Sequence, residues 1–87
     1  MFNVKIKRKA LKNLAKIDLE QKRNLKETIL LLKTDPLPFK KTDICKLKGY
    51  DNTYRIRVGS IRIVYDVLWT QKTILIHYVG TMEKAYS

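Results

Sequence analysis

The chain has 87 residues, a length that suffices for one small domain and is too short for two. Hydrophobic residues make up 45% and charged residues 31% of the sequence, a balance that supports a packed core and argues against disorder. We therefore expect a single domain over residues 1–87. Nineteen Lys and Arg against eight Asp and Glu give a net charge of +11, which favours an anionic partner such as nucleic acid, an anionic membrane or an acidic protein.

The rest of the composition excludes several classes of protein. Cys45 is the single cysteine, so an intrachain disulfide is impossible and we expect a cytoplasmic protein. The N-terminal residues lack the apolar run of a signal peptide, and no later run approaches the roughly 20 apolar residues that cross a bilayer. His77 is the single histidine, which excludes catalysis by a pair of imidazoles. The sequence has no clustered Cys and His ligands, so we expect no metal and no other cofactor.

The N-terminal part of the chain changes from strand to helix periodicity. Residues 2–6 alternate apolar with polar side chains, which predicts a short strand with one buried face. From Arg8 onward, Leu11, Leu14 and Ala15 recur at helical spacing, and lysines occupy the opposite face. We therefore expect a short basic helix whose apolar face is formed by these three residues.

A second helix is predicted over residues 19–33. Asp18 suits its N-cap, because the carboxylate can accept a hydrogen bond from the free backbone amide of Gln21. The helix is expected to end before Pro36, since proline disfavours the helical conformation in the residue that precedes it. Its buried face is predicted to carry Leu25, Ile29 and Leu32.

The remainder of the chain has strand periodicity, after a loop with a basic tip at Lys40 and Lys41. Gly59 and Ser60 form a two-residue loop with glycine first, which is typical of a type II′ hairpin. The order β-α-α-β-β-β-β predicts an α+β fold in which two N-terminal helices pack on one face of a mainly antiparallel sheet. The four later strands are predicted over residues 44–48, 54–58, 61–67 and 73–79.

The two-residue turn determines the register of the hairpin around it. It sets Arg57 opposite Arg62, and because side chains alternate, Arg55 lies on the same face as both. The apolar residues lie on the other face, where we expect the helices, so the arginines lie on the open face. Opposed cations repel unless an anion lies between them, and guanidinium groups offer donor forks suited to phosphate. This pattern favours a phosphate site over the alternative of solvated arginines partly neutralised by Asp66.

The other side chains that could take part in catalysis have ordinary structural explanations. A turn over residues 70–71 sets His77 across from Val64 on the open face, but a shift of one residue buries it. We therefore expect a partly buried histidine rather than a general base. Tyr50 and Tyr78 are expected to be packing residues.

Four motifs and a C-terminal tyrosine follow one another in a characteristic order. They are Lys-Leu-Lys-Gly at 46–49, Tyr-Arg-Ile-Arg-Val-Gly at 54–59, Arg-Ile-Val-Tyr-Asp-Val at 62–67, Val-Gly at 79–80, and Tyr86. In this order they resemble the RelE/ParE superfamily of toxins from type II toxin-antitoxin modules. The resemblance covers essentially the whole chain, because the order of predicted elements also matches.

Members of this superfamily have two different activities. RelE members are ribosome-dependent endoribonucleases that cut mRNA in the decoding site, whereas ParE members inhibit DNA gyrase. The resemblance to RelE implies a metal-independent endoribonuclease in which 2′-hydroxyl attack is stabilised by preorganised cations. On this basis the catalytic residues are Arg55, Arg57, Arg62 and Tyr86.

One position departs from the RelE pattern. The arginine that usually follows the Val-Gly pair falls at or near Met82, where Lys84 supplies a charge but not a bidentate fork. This departure favours a ParE-like gyrase inhibitor, whereas Arg55, Arg57 and Arg62 favour a RelE-like endoribonuclease. An inactive RNA-binding relative is a third interpretation. The resemblance also implies an acidic RelB-like antitoxin, the ribosome and mRNA as partners, and no membrane. Five lysines are expected to contact RNA phosphates: Lys40, Lys41, Lys46, Lys48 and Lys84.

Overall fold

The computed structural model describes residues 1–81. Their elements are β1 (Asn3–Ile6), α1 (Arg8–Ala15), α2 (Leu19–Thr34), β2 (Asp43–Lys46), β3 (Thr53–Val58), β4 (Ile61–Leu68) and β5 (Thr73–Thr81). This is the predicted order, and the predicted α+β fold is confirmed. Two boundaries differ by two residues, because β2 ends at Lys46 rather than at residue 48 and β5 continues to Thr81 rather than ending at residue 79, and the other strand boundaries differ by at most one residue.

The five strands form one sheet in the order β1-β5-β4-β3-β2. Strands β2 to β5 pair with their neighbours in antiparallel fashion, whereas β1 pairs with β5 in parallel fashion. The first and last strands of residues 1–81 therefore lie side by side, with β1 at one edge of the sheet. Strand β4 lies at the centre of the sheet, so a side chain on β4 has neighbours on both sides.

The core lies between the helices and one face of the sheet. From the helices it receives Ala10, Leu25 and Leu32, and from strands β3 to β5 it receives Tyr54, Ile56, Ile61, Ile63, Tyr65, Val67, Ile74, Ile76 and Val79. The prediction for α2 is confirmed at Leu25 and Leu32, while Ile29 is half-buried. In α1, Leu14 packs against the core as predicted, whereas Leu11, at 52%, and Ala15 are exposed, because Ala10 is the buried residue of this helix.

Helix α2 begins and ends where local chemistry predicts. Asp18 is the N-cap, and its Oδ1 accepts a hydrogen bond of 2.9 Å from the Gln21 amide. The helix ends at Thr34, just before the Asp35-Pro36 pair. None of the helices within residues 1–81 is both long and apolar enough to cross a membrane.

Candidate nucleic-acid interface

The β3–β4 hairpin has the predicted turn and the predicted register. Gly59 has a φ of +61° and Ser60 has no positive φ, the combination that defines a type II′ turn with glycine first. Arg57 pairs with Arg62, and the apolar residues of both strands fall on the helix side of the sheet. The prediction of the two opposed arginines is therefore confirmed by the backbone pairing.

Arg55, Arg57 and Arg62, here called the arginine cluster, lie on the face of the sheet opposite the helices. Their exposure differs because of their positions in the sheet. Arg62, on the central strand, is 8% exposed, whereas the side chain of Arg57, nearer the edge, is 40% exposed. Arg55 is half-buried. The cluster thus combines one buried guanidinium with two that are more accessible, on adjacent strands.

The acidic group beside Arg57 neutralises that arginine weakly. Arg57 Nη1 lies 3.9 Å from Asp43 Oδ2, and the two side chains are 40% and 60% exposed. An exposed pair at this distance contributes little, on the order of 0–1 kcal/mol. The Nε of Arg55 is buried and has no hydrogen-bond partner among residues 1–81.

Asp66, which the sequence offered as a partial counter-charge to the arginines, contacts Thr53 and His77. Its Oδ1 accepts a hydrogen bond of 2.5 Å from Thr53 Oγ1, and its Oδ2 lies 2.6 Å from His77 Nε2. An ionised carboxylate can only accept, so Nε2 of His77 carries the hydrogen in this contact. Asp66 is thereby fixed between β3 and β5, with both oxygens already holding a neighbour.

A β-bulge determines the position of His77. The predicted pairing holds from the turn up to Tyr65, which pairs with Ile76. A bulge between Val64 and Tyr65 then shifts the register, so that Tyr78 rather than His77 lies opposite Val64. His77 is the extra residue, and its partly buried side chain, 24% exposed, turns toward Asp66 on the open face. The prediction that His77 is partly buried is confirmed, but the prediction that it lies opposite Val64 is wrong.

Of the two tyrosines assigned to packing, Tyr50 is exposed and contradicts the prediction, whereas Tyr78 packs against its own strand. Tyr50 is 56% exposed and lines a cavity of about 190 Å³ on the open face. Tyr78 is half-buried, and its ring crosses Gly80 so closely that a Cβ at Gly80 would overlap the Tyr78 hydroxyl. Gly80 pairs with Arg62, so Tyr78 belongs to the surroundings of the arginine cluster. The spacing of Tyr78 and Gly80 by two residues on one strand is the sequence signal for this contact.

The predicted lysines are spread around the sheet rather than gathered at the cluster. Lys40 and Lys41 are exposed in the α2–β2 loop, and Lys48 is exposed in the β2–β3 loop. Lys46 pairs with Tyr54, so the strand alternation places it on the helix side, away from the arginines.

The remaining predicted positions lie at the C-terminus. Tyr86 and Lys84, and the departure at Met82, are outside the described residues. Within residues 1–81, the structure contains no group of three or more His, Cys, Asp or Glu side chains that could hold a metal ion.

Known toxins resemble this chain over almost its whole length. Residues 4–86 match the family model for the ParE toxin of the type II toxin-antitoxin system parDE. A Methanocaldococcus jannaschii protein that bears the name toxin RelE1 is 42% identical over 85 residues, which are 98% of this chain and 94% of that protein. The sequence similarity therefore extends well beyond the four short motifs.

Solved structures of RelE proteins have the same fold. A chain of the archaeal RelE–RelB complex from Pyrococcus horikoshii is 31% identical with a TM-score of 0.86, and the match covers 97% of this chain and 98% of that chain. The isolated Escherichia coli RelE toxin is 22% identical with a TM-score of 0.81, covering 98% and 88%, which shows the common fold. Together with the family match, these similarities show that the chain belongs to the RelE/ParE superfamily, as a RelE-type toxin of a type II toxin-antitoxin system.

Proposed function

We propose that this toxin is a ribosome-dependent endoribonuclease that cuts mRNA in the decoding site and so inhibits translation. The observation that carries the proposal is the arginine cluster, in which Arg57 and Arg62 are directly opposed on adjacent strands. Like charges at such positions destabilise a sheet unless an anion lies between them. A phosphate of the RNA backbone supplies that anion, and the planar guanidinium forks can bind it in bidentate fashion.

The proposed reaction is an in-line displacement within the RNA. The 2′-hydroxyl oxygen forms a bond to the adjacent phosphorus, its proton passes to a general base, and the bond to the 5′-oxygen breaks as that oxygen gains a proton. Extra negative charge develops on the phosphate oxygens in the transition state. Arg62 suits the contact to these oxygens because it is 8% exposed, and a preorganised cation shielded from water stabilises such charge more strongly than a solvated one.

The other predicted residues have supporting roles in this proposal. Arg55 and Arg57 are more exposed than Arg62 and would hold the phosphate in line. Tyr86, beyond the described residues, is proposed either as the general base or as a stacking surface for an unpaired base. The exposed Lys40, Lys41 and Lys48 are proposed to contact ribosomal RNA phosphates. No step requires a metal ion or another cofactor.

We further propose that an acidic RelB-like antitoxin neutralises the toxin in the cytoplasm. The net charge of +11 suits both an acidic protein and RNA, so the same surface charge can serve both partners. A match to a chain of the archaeal RelE–RelB complex supports this partner, as do matches to further RelE structures solved with RelB. Co-purification of the toxin with its antitoxin, and loss of RNA cleavage in that complex, would be the expected result.

Primer extension on an mRNA positioned on ribosomes tests the proposed activity. Cleavage within the decoding-site codon is expected only when ribosomes are present. Arg62→Ala should lower the cleavage rate by roughly 100-fold or more, the loss typical for removing one transition-state donor. Arg62→Lys should recover only part of it, because lysine cannot form the bidentate fork.

The control for this experiment is Arg23→Ala, which removes the same charge from an exposed position on α2. It should cleave like the unmodified protein. Equal losses for the Arg23 and Arg62 variants would show that net charge matters rather than the arginine cluster. Because Arg62 is largely buried, circular dichroism is used to check that both variants are folded.

Inhibition of DNA gyrase is the second candidate function. The match to the ParE family model and the absence of the usual arginine near Met82 favour it. In that case mRNA on ribosomes stays intact, the toxin blocks gyrase supercoiling, and Arg62→Ala leaves the block largely unchanged. Ribosome binding without either activity would indicate an inactive RNA-binding relative.

A further inference from the structure

A second polar group lies on the open face, beyond the arginine cluster. Thr53, Asp66 and His77 form a hydrogen-bonded chain across three adjacent strands, with contacts of 2.5 Å and 2.6 Å. The proposed cleavage mechanism uses none of these three residues. They line a cavity of about 190 Å³ together with Leu47, Tyr50 and Val64.

We propose that this cavity is a nucleobase pocket, which binds an RNA base that carries an exocyclic amino group. The proposal rests on the proposed function, since it takes single-stranded RNA as the ligand of the open face. It goes further by naming which part of the nucleotide binds, and where. The pocket is defined by its six lining residues, Leu47, Tyr50, Thr53, Val64, Asp66 and His77.

The size and lining of the pocket suit one flat aromatic ring system. Sites for drug-sized ligands occupy about 300–1,000 Å³, and this pocket is smaller. Val64, an apolar residue that is only 1% exposed, lies at the bottom of the pocket. Tyr50, on the β2–β3 loop, is 56% exposed and offers an aromatic face at the rim. Unpaired RNA bases are bound in this way, by stacking on aromatic side chains while their polar edges are hydrogen-bonded.

The polar groups of the pocket select for a hydrogen-bond donor. A carboxylate has about four acceptor positions, of which Thr53 and His77 occupy one each, so Asp66 keeps acceptor capacity. These two bonds also hold the Asp66 carboxylate in one orientation. Adenine, cytosine and guanine each present an exocyclic amino group that can donate to Asp66, whereas uracil has a carbonyl oxygen in place of that group and can donate only from its ring N3–H.

The position of the pocket relative to the arginines suits one strand of RNA. Thr53 and Arg55 are two residues apart on β3 and share a face, which separates their positions by about 7 Å along the strand. Arg55 therefore lies between the pocket and the opposed pair of Arg57 and Arg62. A phosphate on the arginine cluster and a neighbouring base in the pocket can thus belong to the same or adjacent nucleotides.

Nuclear magnetic resonance of the isolated full-length toxin tests the pocket without ribosomes. Adenosine, cytidine, guanosine and uridine 5′-monophosphates are titrated separately, and amide chemical shifts are followed. We expect saturable shifts at Tyr50, Asp66 and His77 with the three amino-bearing nucleotides, and at least fivefold weaker binding of the uridine nucleotide. Inorganic phosphate should shift only the arginine cluster. Shifts confined to the arginines for all four nucleotides, or no base dependence, would overturn the proposal.

Two substitutions separate the contributions to the pocket. Tyr50→Ala should weaken nucleotide binding at least about fivefold, the lower end of the range for loss of base stacking. Phe39→Ala is the matched control, because Phe39 is equally exposed at 58% but does not line the pocket. Asp66→Asn replaces one of the two acceptor oxygens by an NH2 donor and removes the negative charge, so it should reduce the preference for the amino-bearing nucleotides. Equal binding by the Tyr50 and Phe39 variants would contradict a stacking role.

Different experimental results would refute the proposed pocket and the proposed nuclease activity. A toxin that cleaves mRNA on ribosomes but shows no base-dependent shifts would refute the pocket alone. A toxin that binds amino-bearing nucleotides at Tyr50, Asp66 and His77 but does not cleave mRNA would refute the nuclease and support the pocket.

Discussion

Tyr65 links the central strand of the sheet to the loop after α2, and its hydroxyl group is a sensitive point for stability. The side chain is fully buried, and its hydroxyl donates a hydrogen bond of 2.9 Å to the Pro36 carbonyl oxygen. Tyr65→Phe removes one oxygen atom and leaves the ring in the core. The substitution therefore tests the hydrogen bond without creating a large cavity.

The expected cost at neutral pH follows from that single bond. A neutral buried hydrogen bond contributes about 0.5–1.5 kcal/mol, and an acceptor left unsatisfied costs about 1–3 kcal/mol. Because the contact with Pro36 is only partly buried, we expect a loss of about 1–2 kcal/mol in the free energy of unfolding. For a domain of this size each kcal/mol lowers the melting temperature by roughly 4–8 °C.

The pH dependence of unfolding, compared between the unmodified protein and Tyr65→Phe, gives a second test. Burial raises the pKa of Tyr65, with smaller contributions from Tyr54 and Asp35. Above the ordinary tyrosine pKa of about 10, the unfolded chain loses a proton that the folded protein retains. The contribution of this group to the free energy of unfolding is therefore fully present below pH 10. Above pH 10 it falls by up to about 1.4 kcal/mol per pH unit. Phenylalanine cannot titrate, so the gap between the two proteins should narrow from about pH 10.

Urea unfolding followed by far-ultraviolet circular dichroism measures both effects between pH 7 and pH 11. Tyr50→Phe is the control, because the Tyr50 ring is 56% exposed, so the loss of its hydroxyl group should change stability by less than about 0.5 kcal/mol at pH 7. Equal urea midpoints for Tyr65→Phe and the unmodified protein at pH 7 would refute the hydrogen-bond argument. A gap that stays constant up to pH 11 would refute the burial argument for the pKa of Tyr65.

Three further substitutions test other parts of the structure. Asp18→Ala removes the N-cap of α2 and should cost about 0.5–2 kcal/mol in thermal or urea unfolding, whereas an unchanged midpoint would show that the bond to Gln21 contributes nothing. Leu32→Ala empties a fully buried position and should cost about 2–5 kcal/mol by the same measurement; a cost below about 1 kcal/mol would contradict its place in the core. Gly80→Ala should displace the Tyr78 ring and slow mRNA cleavage on ribosomes, and unchanged cleavage would show that the Tyr78 position is irrelevant to the cluster.

The opposed arginines were predictable because their cause is local. A two-residue turn with glycine first admits one pairing of the flanking residues, and strand alternation then assigns every side chain of the hairpin to a face. The same argument holds for α2, whose N-cap at Asp18 and end before Pro36 depend on residues within one turn of the helix. The order of the elements, and with it the family resemblance, also follows from local periodicity.

The surroundings of the arginines depend on strands that are distant in the sequence. The pairing of β1 beside β5 joins the two ends of the described chain, and no short-range pattern specifies it. The bulge at Val64 and Tyr65 depends on how β4 and β5 pack together, and it turns His77 toward Asp66 instead of leaving it opposite Val64. Burial likewise depends on neighbours, which explains why Tyr50, assigned to packing, is exposed.

The sequence by itself therefore determined the order of elements, the hairpin register and the common face of Arg55, Arg57 and Arg62, because turns, caps and alternation act over a few residues. Only the tertiary structure decided that Arg62 is the buried member of the cluster, because its central strand has neighbours on both sides. The same holds for the contact of Asp66 with Thr53 and His77, which joins three strands and forms only when the whole sheet has assembled.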